Sequence, residues 1–352
     1  MSLECPALLE CPALLSLFSL FSLFAGTYIP RYLYEHYHVT TPSSPTKIDT
    51  TIMMTTEDDD DTMAACANCG KGEESSGDLK ACTACKLVKY CNRECQIAHR
   101  PQHKKACKKR AAELHDEALF KEPPPPEECP ICFLPSPLDG GQRTFKSCCG
   151  KIICDGCIDA MDEEAHGRGK IGLCAFCRVP TPTSDEHDIE RTKKLMDANN
   201  ADAFHQLAGC YVRGDMGMPQ DFTKANELFF RAGELGCADA HCNLGKSYDD
   251  GRGVEVDKKK AKHYAELAAM RGCAHARNNL ARLELEAGNH HRAMKHFILA
   301  ARAGDKDALD AVKHGFMSGF VTKDEYANTL RANKKIQDEM KSDTRDKAAA
   351  LG

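Results

Sequence analysis

Residues 85–107 read CKLVKYCNRECQIAHRPQHKKAC, and they hold four cysteines and two histidines with lysines and arginines toward the C-terminal end. This composition fits a disulfide staple, a basic nucleic-acid patch or half of a metal site. The whole chain has 352 residues and 21 cysteines; 15 of these lie between residues 66 and 177, and ten of the 15 form C-x-x-C pairs. Such clustering in a chain rich in Lys and Glu favours metal-bound thiolates in a reducing compartment, the cytoplasm or the nucleus.

The charge of the chain argues against nucleic acid as a partner. The net charge is −5, whereas non-specific affinity for nucleic acid requires a surplus of Lys and Arg. The basic cluster at the end of the quoted stretch has two interpretations, a phosphate contact and a solvated helix face. We favour the second, because no aromatic residues are interleaved to stack bases. The cluster comprises Arg100, Lys104, Lys105, Lys108, Lys109 and Arg110.

Residues 1–63 differ in composition from the rest of the chain. An apolar run covers residues 7–26, but Glu4 and Glu10 stand where a signal peptide needs positive charge, and Glu10 interrupts a membrane helix. We favour a low-complexity, disordered segment or an artefact of the gene model, and membrane or secretory targeting is the alternative. In the artefact interpretation, translation starts at Met53, Met54 or Met63.

The quoted stretch gains further ligands immediately upstream, which gives eight candidates in one module. Eight Cys and His ligands make two sites, because structural zinc is almost always four-coordinate and tetrahedral. Ligands four residues apart suit one face of a helical turn, as for Cys91 and Cys95. The candidates are Cys66, Cys69, Cys82, Cys85, Cys91, Cys95, His103 and Cys107.

The spacing of this module, which we place at residues 64–110, resembles a MYND zinc finger. The resemblance is carried by Tyr90-Cys91, Glu94-Cys95-Gln96 and His103-Lys104-Lys105. It implies interleaved sites, in which the first, second, fifth and sixth ligands hold one zinc ion and the other four hold the second. The chain departs from the family at His99 and Arg100, where MYND fingers usually carry an Asp-Trp pair beside a peptide-binding groove.

A second module follows a linker, residues 111–128, whose run KEPPPPEE breaks any helix. Its candidate ligands are Cys129, Cys132, Cys148, Cys149, Cys154, Cys157, Cys174 and Cys177. The stretches CPIC, KSCCGKIICDGC and CAFCRVP resemble an all-cysteine RING finger over residues 129–182. That resemblance implies a cross-brace, with Cys129, Cys132, Cys154 and Cys157 on one zinc ion and the other four cysteines on the second. Two adjacent cysteines bind one ion only with a tight turn, which Gly150 favours.

A RING finger implies two further roles but not an activity. Ile131 matches the residue that contacts a ubiquitin-conjugating enzyme, and Arg178 matches the residue that bonds ubiquitin to its carrier. Against ligase activity, Ala175 stands where RING ligases usually have proline, and the chain has no tryptophan. Elsewhere, the sequence holds no nucleophile with an oriented base and no phosphate-binding glycine loop, so no catalytic residue is predicted.

Residues 196–304 carry an internal repeat. Lys/Arg-Ala pairs end at Ala225, Ala261 and Ala293, and a closing glycine follows each pair eleven residues later. Apolar and small residues recur three and four apart, which predicts two helices per unit. The array resembles Sel-one-like (SLR) repeats, relatives of tetratricopeptide repeats, and residues 305–347 are expected to form a helical cap. We interpret Cys210, Cys237, Cys242 and Cys273 as small buried residues, and His290, His291 and His296 as solvated.

The sequence thus predicts a multidomain protein: two zinc-nucleated fingers, one MYND and one RING-like cross-brace, followed by an all-α solenoid. The sixteen ligands predict about four zinc ions per chain. We expect an adaptor that binds proteins or peptide segments through its fingers and its repeats, and no membrane partner unless the N-terminal apolar run is real. The alternative is a RING-type ubiquitin ligase that recruits a conjugating enzyme and holds its substrate on the repeats.

Overall fold

A computed structural model of the protein describes residues 65–72, 78–138, 140–167 and 172–351. The first finger begins with a two-stranded antiparallel sheet, in which Lys80 pairs with Tyr90. A long helix follows, and the side chain of Asn92 caps it by accepting a hydrogen bond from the N–H of Cys95. These elements are β1 (Lys80–Ala81), β2 (Lys89–Tyr90) and α1 (Arg93–Leu119).

The second finger is built on a hairpin and one helix. Strands β3 (Arg143–Lys146) and β4 (Lys151–Cys154) pair antiparallel, and α2 (Asp155–Gly167) follows directly from β4. The core of this finger consists mainly of cysteines around the fully buried Ile153. A domain with so few apolar side chains requires metal to hold it together.

The helical array confirms the solenoid that the repeats predict. Three pairs of helices pack one after another along the chain. The connection within the third pair, residues 287–289, is shorter than the connections within the first two. Alanines on the inner faces let neighbouring helices approach closely, as at Ala208, Ala232 and Ala268. A further helix, α3 (Asp185–Asp197), precedes the array. The array comprises α4 (Ala201–Arg213), α5 (Phe222–Glu234), α6 (Ala238–Asp250), α7 (Lys258–Met270), α8 (Ala274–Glu286) and α9 (His290–Arg302).

The C-terminal region contains more than the expected cap. Helices α10 (Lys306–Met317) and α11 (Lys323–Met340) both pack against α9 and cover its apolar face. The last helix, α12 (Asp343–Leu351), packs instead against α2 of the second finger. The chain therefore returns from the end of the array to the second finger.

The segment predicted as a linker, residues 111–128, is partly helical. Helix α1 continues through Leu119, whose side chain is 0 % exposed and packs among residues of α6, α7 and α8. The carbonyl of Leu119 accepts a hydrogen bond of 2.6 Å from the buried guanidinium of Arg277. The prolines end the helix only after this apolar end has been buried, so α1 extends from the first finger into the core of the array.

One histidine prediction is wrong. His296 is fully buried, because Phe120 covers its ring at a centroid distance of 4.7 Å. Burial, together with the positive charges of Arg277 and Arg292, lowers the pKa of His296 to about 3. This imidazole is therefore neutral at physiological pH and serves as a packing surface for the end of α1.

The remaining expectations concern the N-terminal segment and the membrane. Residues 1–63 lie outside the described residues, so the interpretations of that segment stay predictions. Over the part of the chain that the structure describes, no helix combines the length and the apolar character needed to cross a bilayer.

Candidate metal centres

The structure brings the sixteen predicted ligands into four groups, and in each group all donor atoms lie within 4.8 Å of one another. Two groups are in the first finger and two are in the second, with the interleaved and cross-brace pairings that the resemblances imply. The groups are Cys66, Cys69, Cys91 and Cys95; Cys82, Cys85, His103 and Cys107; Cys129, Cys132, Cys154 and Cys157; and Cys148, Cys149, Cys174 and Cys177.

The spacing of the donor atoms fits tetrahedral zinc. Zinc–sulfur bonds of about 2.3 Å place two sulfurs of a tetrahedron about 3.8 Å apart. The Sγ atoms of Cys82 and Cys107 are 3.8 Å apart, and those of Cys132 and Cys154 are also 3.8 Å apart. Thiolate and imidazole are the donors that structural zinc prefers, so four groups of this kind fit about four zinc ions per chain.

Four C-x-x-C pairs form knuckles of the same shape. In each, the residue after the second cysteine adopts a left-handed conformation, and its N–H donates to the carbonyl of the first cysteine. Only one of these four residues is glycine, which accepts such a conformation without steric cost. The residues are Gly70 (φ 71°), Lys86 (φ 59°), Phe133 (φ 57°) and Arg178 (φ 61°).

The knuckles also prepare thiolates. Burial raises the pKa of Cys66, but the N–H groups of Cys69 and Cys91 outweigh burial and lower the pKa to about 6. The first cysteine of each other knuckle follows the same rule, because backbone donors face its sulfur. Their pKa values are lowered to about 6 for Cys82, about 7 for Cys129 and about 7 for Cys174. Lowered thiol pKa values favour metal binding, since zinc binds the thiolate.

The adjacent cysteines of the second finger meet one site through a tight turn. Gly150 follows them with φ 68°, and its N–H donates to the carbonyl of Lys146 at 2.8 Å. The turn points the sulfur of Cys148 to within 3.3 Å of that of Cys177 and the sulfur of Cys149 to within 3.9 Å of that of Cys174. A Cβ atom at position 150 would also stand 2.6 Å from the side-chain amide of Asn200, so both the conformation and the space favour glycine there.

His99 takes a role in the first finger that the sequence did not reveal. Its Nδ1 lies 3.1 Å from the hydroxyl of Tyr90, and its ring stacks on that of His103 at 5.6 Å. His103 in turn lies 3.2 Å from the sulfur of Cys85 through Nε2. His99 therefore braces a metal-facing imidazole from the position where MYND fingers usually have an Asp-Trp pair.

The other residues for which the sequence predicted a role lie partly at the surface and partly in the interior. Ile131 is half-buried against the cysteines of the second finger, and Arg178 is exposed with its guanidinium 3.7 Å from Met161. The basic cluster on α1 is mostly exposed, as the solvated-face interpretation predicts. Within the described residues, no cysteine of the helical array falls in a metal-binding group.

Lys86→Gly is expected to stabilise the first finger by about 1 kcal/mol. Glycine removes the cost of holding a side chain in the left-handed region while it keeps the 3.0 Å hydrogen bond from residue 86 to Cys82. Lys86 is exposed, so the substitution deletes no packing. The measurement is the midpoint of thermal unfolding of the zinc-loaded finger; Lys109→Gly, at an exposed position inside α1 of the same finger, is the control and should lower stability. A loss of stability in Lys86→Gly would contradict this prediction.

Comparisons with known proteins agree with this division of the chain. Residues 66–107 match the family model of the MYND finger, and residues 201–237, 238–273 and 274–305 each match that of the Sel1 repeat. An uncharacterized protein of Neisseria meningitidis serogroup B is 32 % identical over 134 residues, which cover 38 % of this chain and 28 % of that protein. The chain thus spans less than a third of the length of this relative.

Solved structures similar to this chain include two proteins of the Sel1/SLR class. A Sel1 repeat protein from Oxalobacter formigenes is 24 % identical with a TM-score of 0.39, over 49 % of this chain and 68 % of that one. A protective antigen with an SLR fold from uropathogenic Escherichia coli is 20 % identical with a TM-score of 0.40, over 50 % and 38 %. By the family models alone, residues 66–107 of this chain are a MYND finger, and residues 201–305 form three Sel1 repeats.

Proposed function

We propose that the protein is a zinc-dependent adaptor, which joins protein partners through surfaces of its fingers and of its helical repeats. The observation that carries the proposal is the course of α1. The same helix presents His103 and Cys107 to a metal site and buries Leu119 in the core of the array. A zinc finger fixed to a solenoid in this way holds two binding surfaces at a defined distance.

Charged contacts support this arrangement. The guanidinium of Arg292 donates two hydrogen bonds to the carboxylate of Asp116 on α1, one of them 2.8 Å long, and lies over the ring of Phe120. Buried Glu284 orients the guanidinium from behind at 3.0 Å and also accepts from Lys262 at 2.8 Å. Bidentate arginine–carboxylate pairs fix geometry as well as energy, so the joint between finger and array is stiff.

Sequential affinity capture tests the adaptor directly. An adaptor holds two partners at once, so a complex captured through one partner should contain the second. Cys85→Ser, which removes one ligand of the first finger, should release the finger-bound partner while the repeat-bound partner stays. Arg331→Ala, at an exposed position on α11, is the matched control and should leave both partners bound. Partners that are never found in one complex would contradict the proposal.

A second candidate function is that of a RING-type ubiquitin ligase, and the surface of the second finger favours it. Phe133, which follows the first knuckle in a left-handed conformation, is 71 % exposed, and Phe176 of the last knuckle is 43 % exposed. Leu173 and Val179 add apolar surface beside the same knuckle. Exposed apolar side chains on two knuckles, next to Ile131 and Arg178, suit the docking of a conjugating enzyme.

A self-ubiquitination assay with a panel of conjugating enzymes separates the two functions. If the ligase proposal holds, Ile131→Ala and Arg178→Ala should each abolish chain formation, because one removes the docking contact and the other the bond to ubiquitin. Ile97→Ala is the control: it removes an isoleucine that is 59 % exposed on the first finger and should change nothing. Absence of activity with every conjugating enzyme leaves the adaptor alone.

A further inference from the structure

The C-terminal helix α12 carries a buried arginine that faces a metal group of the second finger. We propose that Arg345 is a positioning residue for the zinc site of Cys129, Cys132, Cys154 and Cys157, where its guanidinium donates to the Cys132 thiolate and so couples α12 to metal retention. Arg345 and Cys132 are more than 200 positions apart in sequence, and no repeat or motif of the sequence connects them.

The contacts of Arg345 place its charge at the first knuckle. Nη2 lies 3.4 Å from the sulfur of Cys132 and 3.3 Å from the carbonyl of Leu134. Nη1 donates to the carbonyl of Pro135 at 2.7 Å and to that of Met340 at 2.9 Å. The guanidinium therefore spans the knuckle, the chain that leaves it and the end of α11, and the residue is only 9 % exposed.

The charge of the metal group explains why a buried arginine is stable there. Four thiolates and one Zn²⁺ ion carry a net charge of about −2, because each cysteine binds as a thiolate. A guanidinium is always charged and is costly to bury without a partner of opposite sign. Hydrogen bonds to ligand sulfurs also hold the ligands in place, and their loss typically weakens metal binding about 10- to 100-fold.

Gly156 shows that α12 is fitted to this site. It lies between the ligands Cys154 and Cys157, at the start of α2. A Cβ atom there would stand 2.6 Å from the backbone nitrogen of Arg345 and 2.8 Å from the carbonyl carbon of Thr344. The backbone of α12 therefore lies directly against the ligand-bearing turn, which the absence of a side chain at position 156 permits.

A purely structural role for Arg345 gives a different expectation. Three of its four hydrogen bonds reach backbone carbonyls, and the two to Leu134 and Pro135 alone would fasten α12 to the finger without affecting the metal. The contact with the Cys132 thiolate adds the coupling. If docking of α12 strengthens zinc binding by some factor, zinc binding must strengthen docking of α12 by the same factor. The rate at which zinc leaves the protein therefore distinguishes a purely structural role of Arg345 from the proposed positioning role.

The test measures zinc transfer from the full-length, zinc-loaded protein to a chromophoric chelator. In Arg345→Met, which keeps the apolar volume of the stem, one zinc ion in four should leave about 10-fold faster or more, and the other three at the wild-type rate. Arg345→Lys keeps the charge and should give an intermediate rate. Lys347→Ala, exposed on the same helix, is the control. Wild-type release of all four ions in Arg345→Met overturns the proposal.

A reciprocal measurement needs no variant at position 345. Selective removal of zinc from the second finger of the wild-type protein should increase amide hydrogen exchange in α12, whereas α10, which packs mainly against α9 and α11, should be unaffected. Unchanged exchange in α12 after the zinc has left would equally overturn the coupling.

Discussion

Removal of zinc with a strong chelator is expected to unfold both fingers while the Sel1 repeats stay folded. The cores of the fingers consist largely of the ligand cysteines themselves, with only a few apolar side chains such as Leu79 and Ile153. Structural zinc contributes on the order of 10 to 16 kcal/mol to folding in small finger peptides, which exceeds the stability of an ordinary domain. The repeats have their own alanine- and leucine-rich core and no predicted ligand.

Two measurements check this expectation: a metal count on the purified protein, about four zinc ions, and limited proteolysis before and after chelation. Cys85→Ser should lose one zinc ion, because it removes one sulfur from a four-ligand group. Cys210→Ser is the matched control, since this buried cysteine lies in the array outside the metal groups, and it should keep the full count. A wild-type count of two or fewer would eliminate one of the two modules.

The metal groups were predictable from the sequence because their ligands lie close together in sequence at spacings typical of zinc sites. The two cysteines of each knuckle lie within four consecutive residues, and the partner ligands lie on a helix or a hairpin within a few dozen positions. The adjacent cysteines 148 and 149 were assigned to one site by the resemblance to a RING finger, and Gly150 fits the turn that they require. The resemblances then supplied the pairing, which spacing alone left open.

The contacts that join the modules could not be predicted in this way. Arg345 reaches Cys132, and Arg292 reaches Asp116, across separations that no repeat or motif connects. His296 looked like a solvated histidine because its own helix gives no hint of Phe120, which covers it from outside the array. The prolines after residue 122 correctly mark the end of a helix, but they conceal that its last turn is buried.

Leu119→Ala is expected to destabilise the helical array by about 3 to 4 kcal/mol. The side chain is 0 % exposed among alanines, cysteines and Leu280 contributed by three helices, so its removal leaves a cavity that small, rigidly held neighbours cannot fill. The measurement is chemical denaturation of the zinc-loaded protein followed by the helical signal. Leu87→Ala, at a leucine that is 45 % exposed in the first finger, is the control and should change stability by less than about 0.5 kcal/mol.

The zinc content separates this effect from damage to the finger. Leu119 lies at the far end of α1 from His103, three turns beyond Cys107, so Leu119→Ala should keep its zinc ions while the array loses stability. Amide exchange should rise both in the last turn of α1 and in α8, because Arg277 of α8 donates to the carbonyl of residue 119 and holds the two together. Loss of stability confined to the finger would mean that the end of α1 does not stabilise the array. An unchanged free energy of unfolding would mean that the array is complete without this leucine.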